Sequence, residues 1–309
     1  MPSVKKNLKK SKKAAISNKV FKTVIFTGYL GVFVISLTSL LWGDKHFVLD
    51  LFSHFQLQFS IGFLICALII LLLKNLKLGL AMLFYPALLF TTIILPINQK
   101  SLSSENKSAD LYYMNMNLRD GNNEEIFNYI KSNSPSTVAI VELHPELHKM
   151  LNEYYGGTAV YNPGDFDSCG VYTKEKVFAS DVDATGEYPI CLVRFESYTL
   201  IVVHPFPAFT KADWEKQQTF FNQLDKRVTE LKKANKKYIL VGDFNASIYS
   251  PTFRKHFNED FQFNTYTWNT DSLLMLPIDH AISNMPLEVL KGKAVSSDHL
   301  GLFIYAANL

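Results

Sequence analysis

Cysteine is scarce: Cys66, Cys169 and Cys191 are the only three in 309 residues. That excludes a disulfide-dense scaffold and a Cys-rich zinc module. The first third nearly lacks acids and has no arginine at all. Residues 1–97 hold eleven Lys and two acids, Asp44 and Asp50, a net +9. Three runs there carry no charge of either sign: 23–43, 55–73 and 78–99, of 21, 19 and 22 residues. No internal repeat occurs, and the only biased segment is the Lys-rich start. Hydrophobic residues make up 48% of the chain, which excludes a disordered polypeptide.

About 20 apolar residues cross a bilayer as a helix, so the three uncharged runs predict three transmembrane helices. A signal peptide explains them less well. The first run is long for a signal core and has no small-x-small cleavage pattern before Asp44. Eight Lys precede the first run, and Lys74 and Lys77 bracket the turn between the second and third. The positive-inside rule puts both in the cytoplasm, with everything after about residue 98 on the far side, periplasmic in a two-membrane cell. Pro86 is expected to kink the third span and Pro96 to end it. The organisation read from the chain is a basic N-terminus (1–22), a three-helix anchor (23–97), a Ser-rich linker (98–109) and a catalytic domain (110–309).

Residues 98–309 contain 20 basic and 26 acidic residues, a net −6. Apolar strand-length runs recur at 111–116, 137–141, 200–203, 238–241, 278–282 and 302–305. Helical patterns separate them at 123–131, 145–154 and 213–234; the last places Trp214, Phe221, Leu224, Val228 and Leu231 on one face. Alternating strands and helices indicate a mixed α/β domain.

Polar residues gather where these strands end. They are Asn115 and Asn117, Glu142, His204, Asp243 and Asn245, Asp279, and Ser297-Asp298-His299. Oxygen ligands with imidazoles suit a hard divalent cation and hydrolysis of a phosphoester, whose developing charge they offset. In this order, with Gly242-Asp243-Phe244-Asn245 followed by Ser250-Pro251 and the terminal Ser-Asp-His, the chain resembles the endonuclease/exonuclease/phosphatase superfamily from about 111 to 305. The resemblance implies a four-layer α/β sandwich, two packed mixed β-sheets flanked by helices. It also implies Mg²⁺ or Mn²⁺ as cofactor. By the same resemblance Glu142, Asn117 and Asp298 are metal ligands. Asp243 and Asn245 orient water and a phosphate oxygen, His299 contacts the scissile phosphate or acts in proton transfer, Asp279 orients His299, and His204 is a second catalytic imidazole; the resemblance does not assign the general base. Asn115 shares a strand face with Asn117 by period-two alternation; Asn117, followed by Leu118-Arg119, fits the motif better.

Several residues stay outside this set. His280 faces away from Asp279 and reads as structural, and His144 and His148, at zinc-like spacing, read as packing or surface residues because Pro145 replaces the adjacent Glu of a zincin. Asn122 is a candidate for lining the site. Cys169 and Cys191 lie in two strand-like segments expected to pair as neighbours, either bridged or as two buried thiols. Phe206, Phe209, Trp214, Tyr249, Phe253, Tyr266 and Trp268 are candidates for an aromatic rim, with several open to a core role.

The function expected is a membrane-anchored phosphodiesterase or phosphatase acting on lipid-borne or small phosphoesters, with membrane lipids as partners. A tethered nuclease and a silent binding domain are the alternatives. The acidic balance of the domain disfavours a nucleic-acid partner.

Overall fold

The computed structural model describes residues 2–94, 108–117, 122–164, 168–257, 261–263, 265–269 and 271–306. The chain divides into two compact units, Met1–Pro96 and Ile97–Leu309. Pro96, Leu118-Arg119 and most of the expected linker lie outside the described residues.

The first unit is helical: α1 (Pro2–Trp42), α2 (Phe47–Ser53), α3 (Gln56–Leu72) and α4 (Leu76–Leu89), the last running into a π-helical turn at Phe90–Ile94. Among the described residues one helix, Asn18–Lys45, is long and apolar enough to cross a membrane, with mean hydropathy 2.1, and the bent pair Phe47–Ser53 and Gln56–Leu72 is so only if the two count as one span. The second expected span is shorter than anticipated and meets α2 at 68°, and the third is a shorter apolar helix over Leu76–Thr92. Pro86 does not end α4. Proline lacks the N–H that would bond the carbonyl four residues back. Here the Tyr29 hydroxyl donates to that Met82 carbonyl at 2.8 Å instead. Ser36 donates to Gln56 at 2.7 Å, and Gln56 donates to Ser39 at 3.1 Å, so polar groups buried among apolar helices find partners.

The second unit holds two six-stranded sheets. The strands are β1 (Leu111–Asn115), β2 (Thr137–Val141), β3 (Val160–Asn162), β4 (Cys169–Thr173), β5 (Ala179–Asp183), β6 (Ile190–Arg194), β7 (Thr199–Val203), β8 (Tyr238–Asp243), β9 (Phe261–Phe263), β10 (Asp279–Ser283), β11 (Leu287–Lys291) and β12 (Leu302–Ala306). One sheet runs β11-β12-β1-β2-β4-β3 and the other β5-β6-β7-β8-β10-β9. Both mix parallel and antiparallel pairs: β1 is parallel to β2 and β7 to β8, while β2–β4 and β8–β10 are antiparallel.

Alternation along each strand explains the layers. Leu111 and Tyr113, Ala139 and Val141, Leu200 and Val202, and Ile239 and Val241 share the inter-sheet core. Tyr112, Met114, Val138 and Ile140 point the other way, onto α5 (Asn123–Asn133) and α6 (Pro145–Tyr155). Ile201, Val203, Tyr238 and Leu240 pack with Phe220, Phe221 and Leu224 of α7 (Lys211–Lys233) and Phe253 and Phe257 of α8 (Pro251–Phe257). The result is two packed mixed sheets with helices outside.

Cys169 and Cys191 form a disulfide with Cα atoms 6.4 Å apart. Their strands do not pair, contrary to expectation; β4 and β6 belong to different sheets, and the bridge crosses the core between them. Both side chains point inward by alternation, which brings them face to face.

Candidate active site

At one end of the inter-sheet layer the inward-facing residues change from apolar to polar. Asn115 follows Leu111 and Tyr113 on β1 and is fully buried. Its Nδ2 donates to Glu142 Oε1 and to Asp243 Oδ2, each at 3.1 Å. Asn117 does not continue the alternation. The strand has ended, and Asn117 turns into the left-handed region at φ 53°. Its amide N–H donates to Asn115 Oδ1 at 2.9 Å, and its side chain donates to Asp298 Oδ1 at 2.8 Å. Asn115, rather than Asn117, therefore touches Glu142.

Glu142 and Asn245 are also left-handed, at φ 53° and 48°. Asn tolerates this conformation through local hydrogen bonds, whereas Glu is seldom found there. The turn at Glu142 is fixed by its N–H, which donates to the Ser168 carbonyl at 3.0 Å. Gly242 permits the close parallel approach of β7 and β8: a Cβ there would lie 2.2 Å from the Val203 carbonyl oxygen. That contact sets Asp243 beside His204 at the next position of each strand.

Asp243 and Asp279 are register partners on antiparallel strands, both buried. Asp243 Oδ1 accepts the Asn245 N–H at 2.8 Å. Asp279 accepts the Tyr113 hydroxyl at 2.9 Å on Oδ1 and holds His299 Nδ1 at 2.8 Å on Oδ2. This leaves His299 Nε2 facing Asp243 at 3.8 Å and Asp298 at 3.9 Å. His204 Nε2 lies 3.4 Å from Glu142, 3.7 Å from Asp243 and 3.4 Å from the Asn245 amide.

Two buried carboxyls cannot ionise alike at this separation. Burial, with the neighbouring Asp279 charge adding to it, pushes the Asp243 carboxyl up to about 8. Burial alone would also raise Asp279. The His299 charge and hydrogen bonds from His299, Thr267 and Tyr113 hold it below the ordinary aspartate value instead. Burial opposes charge on His299, but Asp279 foremost, with Asp243 and Asp298, lifts its imidazole to about 9.

Supporting side chains complete the arrangement. Trp268 Nε1 donates to Asp298 Oδ2 at 2.7 Å, and Ser297 Oγ donates to the Asn115 carbonyl at 2.8 Å. Gln217, buried on α7, donates to the Phe244 carbonyl at 3.3 Å and braces the Asp243–Asn245 turn. Sequence patterning gave no sign of Tyr113 or Gln217 as site supports, because each fits an apolar strand or a helix without further role, and it offered Trp268 only as part of an aromatic rim.

Other expected residues lie elsewhere. Asn122 caps α5 by accepting from the Glu124 and Glu125 N–H groups. Its side chain is thereby engaged at the helix start rather than in the pocket. His144 caps α6, and His148 stacks on Tyr161 at 3.8 Å, so the two do not form a zinc pair. His280 bonds the Ala246 carbonyl at 2.7 Å and stacks on Phe253. Trp214, Tyr249, Phe253 and Tyr266 are buried, so the expected aromatic rim reduces to Phe206, Phe209 and the half-buried Trp268.

A family model described as Endonuclease/Exonuclease/phosphatase family matches residues 113–299. The chain belongs to the endonuclease/exonuclease/phosphatase family. Members of this family are generally hydrolases of phosphoesters, and the matched span begins at Tyr113 and closes on His299. Among solved structures, similar ones include a D. rerio TDP2 humanized by 14 mutations (16% identity, TM-score 0.46, covering 63% of this chain and 96% of that one). Another is a truncated Caenorhabditis elegans TDP2 (13% identity, TM-score 0.49, covering 64% and 97%). No curated protein matches the chain.

A divalent cation fits the donor set. Among the described residues, ligand atoms of Asp243, Asp279 and His299 lie within 4.8 Å of one another. Asp279 and His299 already face each other as acceptor and donor, so the oxygens better suited to a hard cation are those of Glu142, with the Asp243 carboxyl held beside them by the Asn115 Nδ2. Cationic charge there would also relieve the buried Asp243 carboxyl.

Proposed function

We propose that the protein is a membrane-anchored, Mg²⁺- or Mn²⁺-dependent phosphoester hydrolase acting outside the cytoplasm on lipid-borne or small phosphoesters. The observation that carries this is the Asp279–His299 pair set against Asp243, with Glu142, Asn115, His204 and Asn245 around them. Glu142, positioned by the Asn115 amide N–H, would hold the cation, with Asp298 at the outer edge. Asn117 then serves to position Asp298 rather than as a ligand. The cation supplies Lewis-acid charge to the phosphoryl oxygens. Asp243, whose carboxyl a neighbouring cation would hold ionised, accepts a proton from the attacking water while Asn245 orients that water. His299 stays protonated and donates from Nε2 to a phosphate oxygen, and His204 presents a second imidazole on the Glu142 side.

Three features support the membrane part of this reading. The Asn18–Lys45 helix meets the length and hydropathy of a span. The lysines before it and at 74 and 77 favour a cytoplasmic N-terminus, with α2–α3 and α4 as the second and third spans. The Cys169–Cys191 bridge belongs to an oxidising compartment.

The test is hydrolysis by the full chain in detergent with Mg²⁺ or Mn²⁺, against bis-p-nitrophenyl phosphate, phospholipids, nucleotides and DNA. Asp243→Ala is expected to lower turnover by at least about 100-fold. An unchanged rate would overturn the mechanism. Cleavage of DNA alone would favour a tethered nuclease, and no loss of activity or phenotype in Glu142→Ala would favour a binding domain. A reporter fused after Leu309 that reads as cytoplasmic would refute the three-span arrangement.

A further inference from the structure

Among the described residues of the second unit, five large apolar side chains are exposed: Phe178, Phe206, Phe209, Leu273 and Leu274. Phe178 is covered in part by the Lys176 ammonium, 5.1 Å from its ring centre. The other four sit on two loops, and both loops spring from the active site. Phe206 and Phe209 follow His204 directly, on the segment whose Pro205 carbonyl accepts the Asn245 side chain at 2.9 Å. Leu273 and Leu274 lie on the loop closed by the Trp268–Leu276 bridge. Trp268 bonds Asp298, and Asn269 N–H donates to the Asp298 carbonyl at 2.9 Å. One pair thus borders the His204–Asn245 side of the site and the other borders the Asp298–His299 side.

These are built features rather than loose ends. Pro205 and Pro207 fix two backbone torsions of the first loop, and the Phe209 N–H donates to the Pro207 carbonyl at 3.0 Å. The second loop is tied by Ser272 N–H to the Asn269 carbonyl at 3.0 Å and by Leu274 N–H to Ser272 Oγ at 2.9 Å. Phe209 is 77% exposed and Leu273 75%, a cost in water that a soluble partner-free surface has no reason to bear at its mouth. Neither 204–210 nor 266–279 contains a Lys or Arg, so the loops offer nothing to a polyanion. Leucine also has no ring on which a base could stack. The second loop carries one exposed acid, Asp271, ahead of its leucines, and apolar, aromatic-bearing loops without a basic residue match the interfacial region of a zwitterionic bilayer.

We propose that these two loops seat the mouth of the site on a lipid bilayer, and that the phosphoester it takes is carried by a lipid. The second half of this inference rests on the hydrolase reading above; the first does not. An amphipathic seat of this kind presents the headgroup to Glu142, Asp243 and His299 while the acyl chains stay in the membrane.

The test uses the full chain in phosphatidylcholine nanodiscs, on a Cys66→Ser background, with an environment-sensitive fluorophore on Phe209→Cys. A control label goes on Glu196→Cys, an exposed residue in the turn at the other end of β7. The label at 209 is expected to shift to the blue and to be quenched by doxyl-labelled lipid, while the label at 196 is not. Equal quenching at both positions, or at neither, overturns the docking surface. In parallel, Phe209→Ser with Leu273→Ser should keep hydrolysis of bis-p-nitrophenyl phosphate within about twofold. The same change should slow hydrolysis of vesicle phospholipid by about tenfold or more. Equal effects on both substrates, or a selective loss on single-stranded DNA, overturn the lipid assignment. A quenched label at 209 on a chain inactive toward every substrate supports the docking surface and refutes the hydrolase reading instead.

Discussion

Asp279 shows how a single side chain organises the site. It is buried, accepts from Tyr113 and His299, and opposes Asp243 across the strand pair. His299 is raised above its ordinary value. Its contribution to stability is therefore complete below about 6.5 and disappears as pH rises through about 9. Asp279 is lowered, so its contribution disappears as pH falls through its folded value. Asp279→Asn should then lower the urea midpoint of the folded protein most between mildly acidic pH and about 9, with the gap to wild type closing above that. Midpoints of both proteins from pH 5 to 10 would check this, and a constant gap would separate Asp279 from His299. Much of this was readable in the residues themselves. A Glu after an apolar strand and a Ser-Asp-His before another have few roles outside chemistry. The choice between Asn115 and Asn117 was not readable, because Asn accepts both an extended strand end and a left-handed turn. Tyr113 was silent for a different reason: a strand tyrosine reads as core until its hydroxyl is seen to have a carboxylate partner.

At the scale of elements, the parallel pair β7–β8 is the part on which geometry depends most. Strand positions were legible from apolar runs and came out within a residue or two, as at 137–141 and Thr137–Val141. Sheet membership was not. The segments carrying Cys169 and Cys191 have the same apolar pattern whether they pair edge to edge or face each other across a core, and they face each other. Gly242 belongs to the Gly-Asp-x-Asn motif, but its reason is a contact between strands. The atom its Cβ would meet is a backbone oxygen, which cannot rotate away. Gly242→Ala should destabilise the second unit by at least about 2 kcal/mol and lower activity by separating His204 from Asp243. Denaturant melts followed by near-UV circular dichroism would measure it, and an unchanged midpoint would mean the strands yield.

The whole molecule joins a +9 helical unit to a −6 unit of two sheets. The helical character of the first was plain from its uncharged runs; where the helices break was less so, since the stretch 44–54 between the first two runs reads simply as a loop and contains α2. The two sheets are held by one covalent link, and its reduction should lower stability by about 2–4 kcal/mol. Melting the full chain in detergent with and without dithiothreitol would reveal this, and coincident curves would refute it. Cys169 stands opposite Val141, the residue before Glu142, and Cys191 stands opposite Val202, two residues before His204. The bridge is thus a strut set just under the two half-sites. Sheets that rest on side-chain packing can shear past each other when the molecule warms; here the gauge between the glutamate side and the histidine side is pinned, and any slippage is pushed toward the far end of the sandwich, away from the chemistry.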